Sequence, residues 1–329
     1  MPRIDARPQD PPRRIQRPQD RRNAVRAAPE LAWRRESPDR KISYAERHGI
    51  ELPSEPTERQ IDEALERVFA AADFLPSRWL TDGAKRCDAV ARILTAREKG
   101  TGFLVSPWLL LTNNHVLADP VVAEGSVVTF RYVEDGRSRI SRSQEVALDP
   151  GRCFVTSPES ELDYTLVAVS PLVGGKAPGK VFGGIPMRAA TGKILSGHPV
   201  NIIQHPDGRP REIAVRNNLL IGVDDDRYLT YETDSEPGSS GAPVLSDAWE
   251  LVALHRSAES ARNDRGEQID VDGRVVTPAT SESRRVWVAN KGVRISAIVA
   301  DVQARTLGED AGREAHALVE ELLRIGGNR

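Results

Sequence analysis

Three polar residues occupy surroundings in which they could do chemistry: Ser240, His115 and Asp163. Ser240 lies in residues 234–244, DSEPGSSGAPV. A serine among glycines and small residues suits a tight loop that presents its hydroxyl and its own N–H. Gly238 would let a ligand approach the backbone with no Cβ in the way. The N–H groups of Gly238 and Ser240 could then converge on one oxygen, the arrangement an acyl-transfer oxyanion needs. His115 sits near the end of GTGFLVSPWLLLTNNHVL, where two apolar runs flank a Ser-Pro turn. A neutral imidazole there could take the proton of a serine hydroxyl, because it titrates near working pH. Asp163 opens the apolar run of LDYTLVAV. An unpaired carboxylate would be expensive to bury there, and the other ring nitrogen of a histidine would partner it.

Such residues need a rigid frame. From about residue 85, short β-rich runs alternate with Gly, Pro, Asp and Asn turns: FLVS, WLLLT, SVVTFRYV, YTLVAV, NIIQH, RYLTYET, PVLS, ELVALH and VWVAN. Runs of this length and spacing predict a sandwich or barrel. Before them, Thr57 and Gln60 fit a capping box. Ile61, Leu65, Val68, Phe69 and Ala72 then recur at helical spacing. Near the end, Ala315, Leu318, Leu322 and Ile325 predict a terminal amphipathic helix over 309–325, followed by Gly326 and Gly327.

Residues 1–40 hold eleven Arg, six acidic residues and seven Pro, with RPQD at 7–10 and again at 17–20. So few apolar groups predict a disordered arm over 1–50. The arm's local charge of +5 leaves −7 on the remainder of a chain whose net charge is −2. The whole therefore has no nucleic-acid signature, although the arm could dock a regulatory partner. No run of 18 apolar residues occurs, and no apolar leader follows the first basic residues, so neither a membrane span nor a secretory signal is expected. Cys87 and Cys153 are too few for a disulfide scaffold, and the thiols point to a reducing cytoplasm. No spacing suggests a metal site or a cofactor.

The three segments, in the order His115, Asp163, Ser240, resemble the trypsin-like (chymotrypsin-fold) serine peptidases. TNNHVL is similar to the family's T-A-A-H segment, LDYTLV to D-I-A-L, and PGSSGAPV to G-D-S-G-G-P. NIIQHPDG and VALHRS resemble the bacterial branch that includes glutamyl endopeptidases. The resemblance implies a mainly β fold of two antiparallel six-stranded β-barrels over 85–305. An N-terminal helical segment over 51–84 would precede it, and a helix and tail over 306–329 would follow. It also implies Ser240 as nucleophile, His115 as general base and then acid, Asp163 as its orienting carboxylate, and Gly238 and Ser240 as oxyanion donors. The activity implied is a serine endopeptidase acting on protein or peptide substrates. A catalytically silent peptide-binding or adaptor module on the same fold is the rival.

Two departures bear on control and specificity. Ser239 stands where many family members carry an acidic residue, and no I-V-G-G-like start precedes the domain, so activity without a zymogen cut is expected. Asp234, six residues before Ser240, suggests a pocket for Arg or Lys. His255 instead resembles the histidine with which glutamyl endopeptidases read an acidic side chain. Arg256 fits neither pocket.

Overall fold

A computed structural model describes residues 17–69, 74–140, 143–223, 225–306 and 312–327. Two seven-stranded antiparallel sheets form the body of the protein. The first contains β1 (Val90–Leu94), β2 (Lys99–Leu104), β3 (Leu109–Thr112), β4 (Val127–Phe130), β5 (Gln144–Val146), β6 (Phe154–Ser157) and β7 (Tyr164–Ala168). Their spatial order is β5-β4-β1-β2-β3-β7-β6. The second contains β8 (Val200–Gln204), β9 (Glu212–Ala214), β10 (Leu220–Val223), β11 (Tyr228–Tyr231), β12 (Pro243–Ser246), β13 (Leu251–Ser260) and β14 (Trp287–Arg294). Their order is β10-β11-β14-β13-β12-β8-β9. Each sheet has one strand more than the six expected. β5 and β9, of three residues each, lie at sheet edges and are too short to leave an alternation in the sequence.

The central strands β3 and β7 are buried along their whole length, which explains the unbroken apolar runs LLLT and YTLVA. Their antiparallel register pairs Leu109 with Ala168 and Thr112 with Thr165. The end of β3 therefore lies beside the start of β7, and residues near 115 and 163 become neighbours across 48 positions of sequence.

Five helices precede the sheets: α1 (Pro18–Ala27), α2 (Pro29–Ala32), α3 (Pro38–Arg47), α4 (Glu58–Phe69) and α5 (Arg78–Asp88). The capping box forms as expected: Thr57 N–H donates to Gln60 Oε1 at 2.9 Å, and Gln60 N–H to Thr57 Oγ1 at 3.4 Å. Ile61 and Leu65 pack under Trp33 and Tyr44, and the wholly buried Lys41 reaches Asp62 at 2.8 Å. Val68, expected on the same face, is instead 43% exposed.

The expectation of a disordered arm to residue 50 gives way from Arg17 onward; residues 1–16, with the first RPQD, lie outside the described residues. Apolar residues are sparse there but well placed. Val25 and Ala32 bury against Ile221 and Ala289 of the second sheet. Arg26 pairs with Glu232 at 2.7 Å, and the Gln19 amide donates to Arg262 O and accepts from Arg262 N–H. The second sheet supplies the apolar surface that the arm lacks on its own.

Two short helices, α6 (Pro120–Glu124) and α7 (Pro178–Phe182), punctuate the loops. Two more, α8 (Ile295–Thr306) and α9 (Arg313–Gly326), end the chain where one was expected. Ile295, Ile298, Val299 and Val302 of α8 are buried at helical spacing, but their β-branched composition reads locally as strand. Leu318 and Leu322 of α9 are buried, and Gly327 closes it at φ +67°. No described helix is long and apolar enough to cross a membrane.

Candidate active site

The β3–β7 register brings His115 and Asp163 together. The Asp163 carboxylate accepts the His115 backbone N–H at 3.1 Å through Oδ1 and the ring Nδ1 at 2.9 Å through Oδ2. A carboxylate only accepts, so Nδ1 carries the proton and Nε2 keeps the lone pair. Asp163 is completely buried and adopts φ +49°, a left-handed conformation that Asp tolerates better than most residues. Its backbone is held by Asn113, whose side-chain amide donates to Asp163 O at 2.8 Å. Burial works against the charged imidazole of His115. The hydrogen bond and charge of Asp163, with Glu159 and Glu98 farther out, outweigh it and raise the ring above its ordinary range.

Ser240 belongs to the loop that feeds β12, and the first sheet grips that loop. Thr101 N–H donates to Ser240 O at 2.8 Å, and the buried Thr101 hydroxyl donates to Gly238 O at 2.8 Å. The same hydroxyl accepts His205 N–H at 3.0 Å. Gly241 N–H and His255 O join at 3.0 Å, tying the loop to β13. Ser239, expected to matter as a missing acid, is buried. Its N–H donates to Glu236 O at 3.0 Å and its hydroxyl accepts Glu236 N–H at 3.2 Å. Between these fixed points, the N–H groups of Gly238 and Ser240 donate to no acceptor among the described residues. Gly238 has φ +98°, and a Cβ there would meet His205 O at 2.7 Å. The loop therefore needs glycine for conformation and for space together. No hydrogen bond links the Ser240 hydroxyl to His115 among the described residues.

Ser240 opens on a cleft of about 870 Å³ walled by residues 232–237, by His255 to Ala258 and by Trp287 to Asn290. The two sequence candidates for specificity occupy different places. Asp234 is exposed, and its backbone carbonyl accepts from Gln204 at 3.0 Å. His255 is buried in the wall. Its Nδ1 lies 2.7 Å from the Tyr231 hydroxyl, and burial drives its pKa down to about 4. At neutral pH it is an uncharged ring with Nε2 left for a ligand.

Several residues of this site escaped the sequence reading. Arg22, from the arm, lines the cleft and donates to Val288 O at 3.4 Å. Thr101, Asn113 and Tyr231 act only through tertiary contacts and left no local signal. Arg256, which fitted neither substrate pocket, reaches the site instead: its Nε lies 3.2 Å from Asp163 Oδ2.

Residues 100–254, which span all three segments, match the trypsin-like peptidase domain family. Over that stretch the chain is similar to trypsin-like peptidase domains. A protein of Sinorhizobium fredii described as uncharacterised is 35% identical over 287 residues, covering 79% of this chain and 42% of that protein. Secreted RxLR effector protein 73 of Plasmopara viticola is 26% identical, covering 53% of this chain and 46% of that protein. The chain thus spans less than half the length of these curated relatives. Among solved structures, a Glu endopeptidase shares 16% identity over 67% of this chain and 91% of its own, with a TM-score of 0.43.

Other titratable side chains away from the cleft have structural partners. His198 packs against the edges of Tyr44 and Phe69, and His205 bonds Arg209 O through Nδ1; burial lowers both to about 4. Asp225 caps its turn by accepting Arg227 and Tyr228 N–H, while Asp224 lies outside the described residues. Cys87 and Cys153 are free and buried, and burial raises both thiols, Cys153 to about 12. That places them far from nucleophilic thiolates.

Proposed function

We propose that this chain is a serine endopeptidase that cleaves peptide bonds through an acyl-enzyme on Ser240. One observation carries the reading: beside Ser240, the N–H groups of Gly238 and Ser240 donate to no described acceptor, while those of Glu236, Ser239, Gly241 and Ala242 around them are engaged. Such donors suit an oxyanion that exists only during acyl transfer. In the proposed cycle, His115 Nε2 takes the Ser240 proton as the hydroxyl attacks the scissile carbonyl. The same proton then passes to the leaving amine. Asp163 keeps the imidazole in its working tautomer and stabilises the imidazolium. Water repeats the sequence on the acyl-enzyme, and no cofactor enters any step.

For specificity, the buried His255 is better placed than Asp234. A neutral ring tied to Tyr231 offers Nε2 to a side chain in the cleft, whereas Asp234 lies on the exposed rim. We therefore favour a polar, hydrogen-bond-accepting side chain before the scissile bond over a basic one. A cytoplasmic setting is supported by the two free thiols.

The silent peptide-binding module has one observation in its favour, the missing hydrogen bond between Ser240 and His115. Unliganded nucleophile–base pairs commonly stand apart and tighten on substrate. A fluorophosphonate probe decides between the two. Labelling of the chain that vanishes in Ser240→Ala and His115→Ala supports the peptidase, and absence of labelling on folded protein overturns it. Mass-spectrometric substrate profiling against Ser240→Ala then reads the specificity.

A further inference from the structure

Arg256 occupies an irregular point of the second sheet. In the β13–β14 ladder His255 faces Gly292 and Ser257 faces Lys291, so Arg256 is an extra residue at a β-bulge. Bulges re-aim a side chain, and this one sends Arg256 across to the first sheet. There its Nε meets Asp163 Oδ2 at 3.2 Å, the same oxygen that takes His115 Nδ1 at 2.9 Å. Its Nη2 donates to Glu159 O at 2.5 Å, and its guanidinium lies 5.7 Å from the Tyr228 ring centre. Tyr228 makes a parallel crossing, donating its hydroxyl to Glu161 O at 2.6 Å. Both struts thus run from the second sheet to the loop that ends in Asp163.

We propose that Arg256 is a positioning residue for His115, holding the Asp163 carboxylate across the junction of the sheets and restraining the imidazole from taking a second proton. The inference rests on the peptidase reading and adds a member to its machinery. A guanidinium that shares a carboxylate oxygen with the imidazole stabilises the carboxylate but opposes a second cation on that oxygen. Around His115 stand Asp163 at the head of β7, Glu159 in the loop before it, Glu98 before β2 and His255 on β13, with Arg256 of β13 reaching the Asp163 oxygen that His115 shares. The three carboxylates favour the charged ring. His255 is neutral at working pH. Arg256 is therefore the fixed positive charge in this set.

The test is the pH dependence of fluorophosphonate labelling of the 329-residue chain carrying Arg256→Gln or Arg256→Lys. With Gln, the acidic limb moves to higher pH by about half a unit or more, because a unit charge has been removed at close range. With Lys the limb stays in place and the plateau rate drops several-fold, since one ammonium cannot bridge Asp163 and Glu159. An unmoved limb in Arg256→Gln overturns the proposal. So does an unmoved limb combined with a changed preference between Glu and Gln peptides, which would make Arg256 a substrate contact. Should Arg256→Gln not fold, the Lys variant decides, and an unchanged plateau overturns. The His115 ring titration, followed by NMR in Ser240→Ala chains labelled on histidine, needs no activity. Failure of wild type to label would end the peptidase reading alone, while an unshifted His115 titration in Arg256→Gln would end this one.

Discussion

His115 and Asp163 are joined twice, backbone N–H to Oδ1 and ring Nδ1 to Oδ2, so one carboxylate fixes both the position and the rotation of the imidazole. Two-point attachment leaves the ring little freedom to rotate. Asp163→Asn keeps the shape but can offer an N–H where an acceptor is needed, which reverses the tautomer. Labelling by the fluorophosphonate probe should fall by about 10⁴-fold. A loss of less than tenfold on folded protein would mean that the pair plays no part in activating Ser240.

The histidines give opposite pH signatures. His115 has its pKa raised in the fold, so its contribution to stability is present below the unfolded value of 6.5 and is lost as pH rises through the folded one. The base function proposed for it would appear only as pH rises through that raised value, so the labelling rate should climb above pH 6.5. His198, His205 and His255 are lowered to about 4. Each is neutral in the fold and would bind a proton sooner when unfolded, so stability should fall as pH drops from about 6.5 towards 4. Thermal melts across pH 4–8 check this. A melting temperature flat between pH 7 and 4.5 would contradict the burial of these rings.

Gly238→Ala tests the oxyanion loop. The new Cβ meets His205 O at 2.7 Å and Asp207 N at 3.0 Å, at a φ that alanine disfavours. The loop must shift, and the Gly238 and Ser240 N–H groups would no longer serve the proposed oxyanion together. Probe labelling should fall by roughly 10²–10³-fold, the cost of one oxyanion donor. Unchanged labelling would remove Gly238 from the site.

Val25 tests the arm. It is 3% exposed and packs from α1, with Ala32, against Ile221 and Ala289 of the second sheet. Val25→Ala removes two methyl groups and should cost about 2 kcal/mol in a denaturant titration. A destabilisation below about 0.5 kcal/mol would show that α1 is not integral to the fold.

The expected activity without a zymogen cut bears on Ser239. Ser239, the position before Ser240, is already closed by two hydrogen bonds to Glu236, so on the proposed reading no new amine is needed to order the loop. The uncleaved chain should therefore label with the probe, with intact mass checked before and after. Labelling that begins only after proteolytic trimming would contradict it.

Ser240, His115 and Asp163 could be singled out from the sequence because each breaks its local pattern. A small-residue loop needs no serine presented at its tip, and an apolar strand needs no carboxylate at its head. The strands themselves were legible where they were long and buried, as in LLLT and YTLVA, and illegible where three residues at an edge gave nothing to count. The contacts that hold the site were decided by tertiary structure alone. Asp163 meets His115 because β3 and β7 pair in one register, and Arg256 meets Asp163 because a bulge turns it across the junction. The arm that reads as unfoldable by itself becomes helical once the second sheet covers Val25. Local sequence sets which residues are out of place for packing, whereas register, bulges and the burial of distant surfaces set what they touch.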